Sequence, residues 1–200
     1  MNAPESLFLP DEQSRADLRN LAITRVGVRG IKYPITVKSV TGVQPSVADV
    51  EMTVFLPADV KGTHMSRFLE ILESHTEPLD QPTFRTMMVE MLDRLESQEG
   101  TVTMKFPYFV RKTAPISGVS SLLDYQVTLK AVSTPKGTDY WMTTLVPVTS
   151  LCPCSKKISN YGAHNQRSHI TIDALAGPDL MIEDLIRIAE ESASCELWGL

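Results

Sequence analysis

The sequence has no basic run and no basic excess: 19 Lys and Arg stand against 24 Asp and Glu, for a formal net charge of −5. Proteins that grip a nucleic-acid backbone neutralise several phosphates with clustered Lys and Arg, so no nucleic-acid partner is expected. No uninterrupted apolar stretch approaches the ~20 residues that a membrane-crossing helix requires. Met1 to Pro10 also lacks a basic segment followed by an apolar core, the pattern of a secretory signal. A cytoplasmic chain with no membrane partner is the expectation. Cysteine is scarce: Cys152, Cys154 and Cys195 make an odd count, and one proline separates the first two, too little for a disulfide of ordinary geometry. In a reducing compartment such clustering points to metal binding or catalysis rather than to a covalent staple. Walker A and Gly-x-Gly-x-x-Gly patterns are missing as well, so a nucleotide bound here is not held by a P-loop or a Rossmann turn.

What is there is ordinary globular composition, 42% hydrophobic and 22% charged with 13 Pro and 10 Gly over 200 residues, enough for one real core or two small ones. Residues 1–21 read as an irregular arm. Residues 22–41 read as short β-rich runs broken by Gly27, Gly30 and Pro34, and Val50, Met52, Val54 and Leu56 then alternate with less apolar partners, the period of a half-buried strand. Met65, Phe68, Leu69 and Leu72 share one face of a first helix. Phe84, Met87, Met88, Met91 and Leu95 do so in a second, with Pro82 near its start and Gly100 ending the pattern. The Met cluster reads as core packing. Two long alternating runs follow, Val102 to Val110 and Leu123 to Ala131, joined through Pro115 to Gly118.

The first part thus predicts an α+β unit over 22–135 with element order β-β-α-α-β-β, an antiparallel sheet covered on one face by two helices. A second round over 136–200 starts with strands at Tyr140 to Val148 and Ser168 to Ala174. Asp179 is the expected cap of a helix through Met181, Leu185, Ile188 and Ala189. This second unit stops before its remaining helix and strands, which predicts an unpaired sheet edge completed by another chain or by further sequence.

The densest polar cluster, Ser150 to Ser168, lies between two predicted strands without amphipathic periodicity, so it is expected to be a long loop on which a scaffold displays function. A thiolate from Cys152 or Cys154 and the imidazole of His164 are donors suited to zinc or another first-row divalent ion. They are too few for a closed structural site and leave the open position that a hydrolytic centre needs for water. The same spacing also fits two buried thiols beside a satisfied histidine. Lys156, Lys157 and Arg167 surround these residues in a chain acidic overall, which fits an anionic substrate and equally an ordinary solvated basic loop. His64 opens a helix, as cap, core or site residue, and His169 faces either the site or solvent. His75 reads as a surface residue at a helix end.

Cys152-Pro153-Cys154-Ser155-Lys156 followed by Tyr161-Gly162-Ala163-His164-Asn165-Gln166-Arg167-Ser168 closely resembles the signature loop of the type IB GTP cyclohydrolases. Pro10-Asp11, Arg25 to Val28, Gly62 to Phe68 and Cys195 to Trp198 resemble other parts of that family, so the likeness spans essentially the whole chain. The resemblance implies the tunnelling fold, tandem β-β-α-α-β-β modules in a homotetramer with sites at subunit interfaces, the second module being incomplete here. It implies metal-dependent hydrolysis of GTP to 7,8-dihydroneopterin triphosphate and formate, the first step of tetrahydrofolate and pterin synthesis. By the same likeness Cys152, His164 and Glu196 are the catalytic and metal-binding residues of a zinc, manganese or iron centre. Lys156, Gln166, Arg167 and His64 are candidate substrate contacts, while Cys154 and His169 have no assigned role. The resemblance further implies that the chain stops short of a purine-anchoring glutamate and another histidine ligand. The alternative from a different class is a non-catalytic purine- or pterin-binding module of the same fold, braced by a structural metal.

Overall fold

Long alternating runs make antiparallel strands the dominant element, and a computed structural model describes the chain over residues 20–198. The expected arm, residues 1–21, therefore falls almost wholly outside the described residues. Strands β1 (Ile23–Ser39) and β2 (Gly42–Leu56) form a hairpin, followed by helices α1 (Met65–Ser74) and α2 (Gln81–Arg94). Next come β3 (Gly100–Thr113), β4 (Ser120–Thr134) and β5 (Gly137–Leu151). The chain then passes through α3 (Pro153–Ile158), β6 (Asn165–Leu175), α4 (Ile182–Ser192) and the two-residue β7 (Cys195–Glu196). One antiparallel sheet runs in the order β1-β2-β3-β4-β5-β6, and β7 pairs with β5 off that path. The boundary expected at residue 135 falls in the β4–β5 hairpin, across which the sheet continues through Thr134↔Gly137 to Gln126↔Leu145.

Alternation decides which face is covered. Val50, Met52 and Val54 on β2, Val102, Met104, Phe106 and Tyr108 on β3, and Tyr125, Val127 and Ala131 on β4 are buried against Phe68, Ile71, Phe84, Met87, Met88 and Met91 of the helices. Val146 and Val148 of β5 are buried in the same cluster as Ile182, Leu185, Ile186 and Ala189 of α4. The helices therefore cover one face. Intervening residues such as Lys105, Lys130, Thr171 and Asp173 carry the polar chemistry of the other. None of the described helices is long and apolar enough to cross a membrane.

Several expectations need correction. Residues 22–41 are not broken runs; β1 is one strand of 17 residues, bent by a register shift between Val28 and Ile31. Gly30 absorbs that bulge at φ +73°, a conformation that L side chains rarely adopt. On α1 the buried residues are Phe68, Ile71 and Leu72, whereas Met65 and Leu69 are exposed. Gly100 opens β3 instead of ending a helix, since α2 stops at Arg94 and Leu95 is its C-cap. Asp179 does not cap α4: Met181 occupies the N-cap position, and Asp184 accepts its amide N–H at 3.2 Å. Ile182 and Ile186 bury where Met181 and Ile188 were expected, and Ile188 is exposed. The polar segment 150–168 is not all loop, because α3 interrupts it.

Candidate metal centre

The site is built from the end of the β5–β6 ladder. Pairing runs from Trp141↔Leu175 to Leu151↔Asn165, and the next partners in that register are Cys152 and His164. Cys152 donates its amide N–H to the His164 carbonyl at 3.3 Å, so the rung is made although neither residue belongs to a strand. Residues directly opposite in an antiparallel ladder project to the same face, with Cβ atoms about 5 Å apart. The rung therefore makes a thiol and an imidazole neighbours across the ladder. Ser155 reinforces the closure: its hydroxyl donates to the Cys152 carbonyl at 2.9 Å and accepts the His164 amide N–H at 3.0 Å.

Cys152 stands at the N-cap of α3, with Pro153 in the first turn. The Ser155 backbone amide, and then the Cys154 amide, hold the Cys152 thiol below its ordinary pKa, against the opposing effect of partial burial. A thiol that ionises readily is what a cysteine ligand must be, since the thiolate binds metal. The donor chemistry of this pair therefore fits a divalent ion. Among the described residues no group of three or more His, Cys, Asp or Glu is arranged to hold one.

The other expected residues divide. Glu196 pairs through β7 with Val148, close to the point where β5 delivers Cys152, but its carboxylate is taken up by the Lys112 ammonium. Gln166 pairs with Ser150, and Arg167 and His169 pair with Thr149 and Pro147 on the alternate positions of β6. Arg167 and His169 thus project to the face opposite Gln166. Gln166, Arg167 and His169 are exposed, as are Lys156 and Cys154 on α3 and Cys195 on β7.

His64 lies elsewhere. It is the N-cap residue of α1 and lines a small pocket with Val54, Phe55, Leu56, Arg67 and Glu96. That pocket is level with the Gly137 end of β5, through Val54↔Gly100, Gly100↔Ser133 and Thr134↔Gly137. Cys152 follows the other end of this strand of 15 residues, roughly 50 Å away at about 3.3 Å per residue. Within one chain His64 does not meet the Cys152 rung. His75, expected at the surface, is the C-cap of α1 and is largely buried, its Nε2 lying 2.8 Å from Glu90.

Two features have no role assigned from the sequence. Ser155 gains its position only from the turn of α3. Lys112 on β3 is 9% exposed and sits between Glu190 of α4, at 2.6 Å, and Glu196 of β7. Tyr125 donates to Glu190 at 2.7 Å. Burial, together with the Glu190 carboxylate, pushes the Tyr125 hydroxyl well above its ordinary pKa, so it remains a donor. This cluster borders a cleft of about 450 Å³ lined by Arg187, Glu190, Ser194, Cys195, Glu196 and Trp198 among others.

The sequence matches the family model described as type I GTP cyclohydrolase folE2 over residues 9–200. It is 57% identical to the GTP cyclohydrolase FolE2 of Paraburkholderia xenovorans (strain LB400), over 100% of this chain and 75% of that protein. It is 59% identical, with the same coverage, to GTP cyclohydrolase FolE2 of Burkholderia ambifaria (strain MC40-6). A third relative, GTP cyclohydrolase FolE2 of Cupriavidus necator (strain ATCC 17699 / DSM 428 / KCTC 22496 / NCIMB 10442 / H16 / Stanier 337), is 55% identical over 98% of this chain and 73% of its own length.

Proposed function

Because the chain belongs to the type I GTP cyclohydrolase FolE2 family, we propose that its hydrolytic centre is assembled on the closing rung of the β5–β6 ladder. The activity is that of a GTP cyclohydrolase, a hydrolase converting GTP to 7,8-dihydroneopterin triphosphate and formate in folate biosynthesis. Cys152 and His164 are proposed as two ligands of a divalent zinc, manganese or iron ion. The observation that carries this is their shared rung, closed by the Cys152 N–H to His164 carbonyl bond. When bound, the ion supplies Lewis acidity to the hydrolysis.

The chain's own residues orient the reactants. Lys156 on α3 and Arg167 on β6 are proposed as the triphosphate contacts, both exposed cations in a chain of net charge −5 and suited to charge-assisted hydrogen bonds, with Arg167 leaving β6 on the face opposite Gln166. Gln166, on the covered-face parity, is proposed to make neutral hydrogen bonds to a purine edge. Glu196 is proposed, by family likeness, as the acidic catalytic and metal-binding partner of this pair; its carboxylate contacts Lys112, and β7 runs beside Thr149. His64 reaches a substrate only in the site of a second copy, and a homotetramer with interfacial sites provides that arrangement. GTP as substrate and three free cysteines agree with a cytoplasmic setting.

The test is formate release from GTP with Zn²⁺, Mn²⁺ or Fe²⁺ supplied in turn, followed by fluorescence of the oxidised pterin. Turnover is expected with at least one ion, and Cys152→Ala and His164→Ala are each expected to remove both bound metal and turnover. Absence of product with all three ions would sink the enzyme reading; metal retained by both variants would sink the assigned centre.

A further inference from the structure

The rung that closes β5 against β6 departs from a regular antiparallel pair. A hydrogen-bonded pair in such a ladder exchanges two bonds, each residue giving its N–H to the other's carbonyl. Cys152 and His164 make one of them directly, from the Cys152 N–H to the His164 carbonyl. The other is interrupted. The His164 N–H donates to Ser155 Oγ at 3.0 Å, and that hydroxyl donates to the Cys152 carbonyl at 2.9 Å. A single hydroxyl is inserted into the rung, accepting on one side and donating on the other.

We propose that Ser155 is a positioning residue of the hydrolytic centre, its hydroxyl setting the separation and relative tilt at which Cys152 and His164 present their donors to a cation. This rests on the reading of Cys152 and His164 as ligands of one ion. The hydroxyl is suited to the task because the strands do not place it. Ser155 belongs to α3, where its own carbonyl accepts the Ser159 N–H at 2.9 Å. The spacer is thereby anchored to a helix that starts at Cys152 itself.

Without it, the His164 N–H and the Cys152 carbonyl either close directly, narrowing one side of the rung, or turn to water and let the rung splay. Both outcomes change the bite offered to the ion. Groups that orient metal ligands in this way typically matter by about 10- to 100-fold in metal affinity or activity. Alanine removes the spacer, whereas threonine keeps the hydroxyl and adds only a methyl group at a partly exposed position.

The experiment uses the intact protein with Co²⁺ as probe. Binding is followed by the thiolate-to-cobalt charge-transfer absorption and by competition with a chromophoric chelator, and kcat and KM for GTP are measured separately. Ser155→Ala is expected to weaken Co²⁺ binding by about 10- to 100-fold, to shift the charge-transfer band, and to lower kcat with little change in KM. Ser155→Thr is expected to restore both affinity and band position. Parental affinity and spectrum in Ser155→Ala would overturn the proposal, as would equal losses in the two variants. Cys152→Ala and His164→Ala run alongside. If they keep the affinity, the ligand reading itself fails and this proposal with it. If they lose it while Ser155→Ala does not, only the role of the hydroxyl fails.

Discussion

Replacing Lys112 with Met tests how this end of the sheet is held together. The Lys112 ammonium lies 2.6 Å from Glu190 and also contacts Glu196, so β3, α4 and β7 meet on one charge, and Tyr125 brings in β4. Methionine keeps the unbranched apolar stem and deletes the charge, leaving two carboxylates facing each other. Removing one partner from a buried ion pair costs about 3–5 kcal/mol, because the remaining charge is left uncompensated. Side-chain exposure is 9% for Lys112, 12% for Glu190 and 39% for Glu196, so water screens the second contact better than the first. The lower end, about 3 kcal/mol, is therefore expected. For a chain of this size that corresponds to a fall of about 6–12 °C in melting midpoint, at about 2–4 °C per kcal/mol. Denaturation is compared at one protein concentration, because assembly would make the midpoint concentration-dependent. A triple variant, Lys112→Met with Glu190→Gln and Glu196→Gln, removes the orphaned charges and is expected to recover most of the loss. A loss below about 1 kcal/mol, the range of an exposed pair, or a triple variant no more stable than the single one, refutes the reasoning.

Asp80 caps α2 by accepting the Thr83 N–H at 2.9 Å and also pairs with Lys38. Burial alone would raise its pKa, but the Thr83 and Lys38 hydrogen bonds outweigh that and hold the carboxyl below its ordinary value. A depressed folded-state pKa contributes stability that is fully present above the unfolded value near ~4 and is lost as pH falls through the folded one. Asp80→Ala is therefore expected to cost about 1 kcal/mol near neutral pH and progressively less below pH ~4; urea titrations showing a pH-independent deficit would contradict this. The separation of His64 from Cys152 predicts complementation. Mixed oligomers of inactive Cys152→Ala and His64→Ala chains are expected to regain GTP turnover, and no recovery after subunit exchange would remove His64 from the site.

Much of the sheet was legible because its two faces differ. Val102 to Val110 and Leu123 to Ala131 alternate cleanly, since one side meets Met and Phe of the helices and the other does not. The α1 stripe is ambiguous in the sequence for a physical reason: a period of 3.6 fits Met65, Phe68, Leu69 and Leu72 as well as it fits Phe68, Ile71 and Leu72, and only docking chooses between them. Helix α3 has six residues and no buried side chain, so no apolar period announces it. In the site, Cys152 and His164 stood out by chemistry, but their sharing of a rung depends on the β5–β6 register, which spacing along the chain does not encode. The Lys112–Glu196 pair joins residues 84 apart, and each reads singly as a surface charge.

The placement of the rung also bears on why a strand end is a suitable seat for a hydrolytic ion. A ladder fixes the direction of two side chains without enclosing them, because pairing constrains the backbone while the next residues are free to turn away. β5 is braced by β6 over Trp141 to Leu151 on one side and by β7 at Val148 and Thr149 on the other, so Cys152 emerges from backbone held on both flanks. Two donors from one rung would supply half of the four ligands of a tetrahedral ion. The remaining positions would be left to water, to substrate and to other segments of the protein. A closed set of four protein ligands would bind an ion more tightly and leave it nothing to catalyse with, so hydrolysis at this rung requires that whatever donors join Cys152 and His164 leave one position to water.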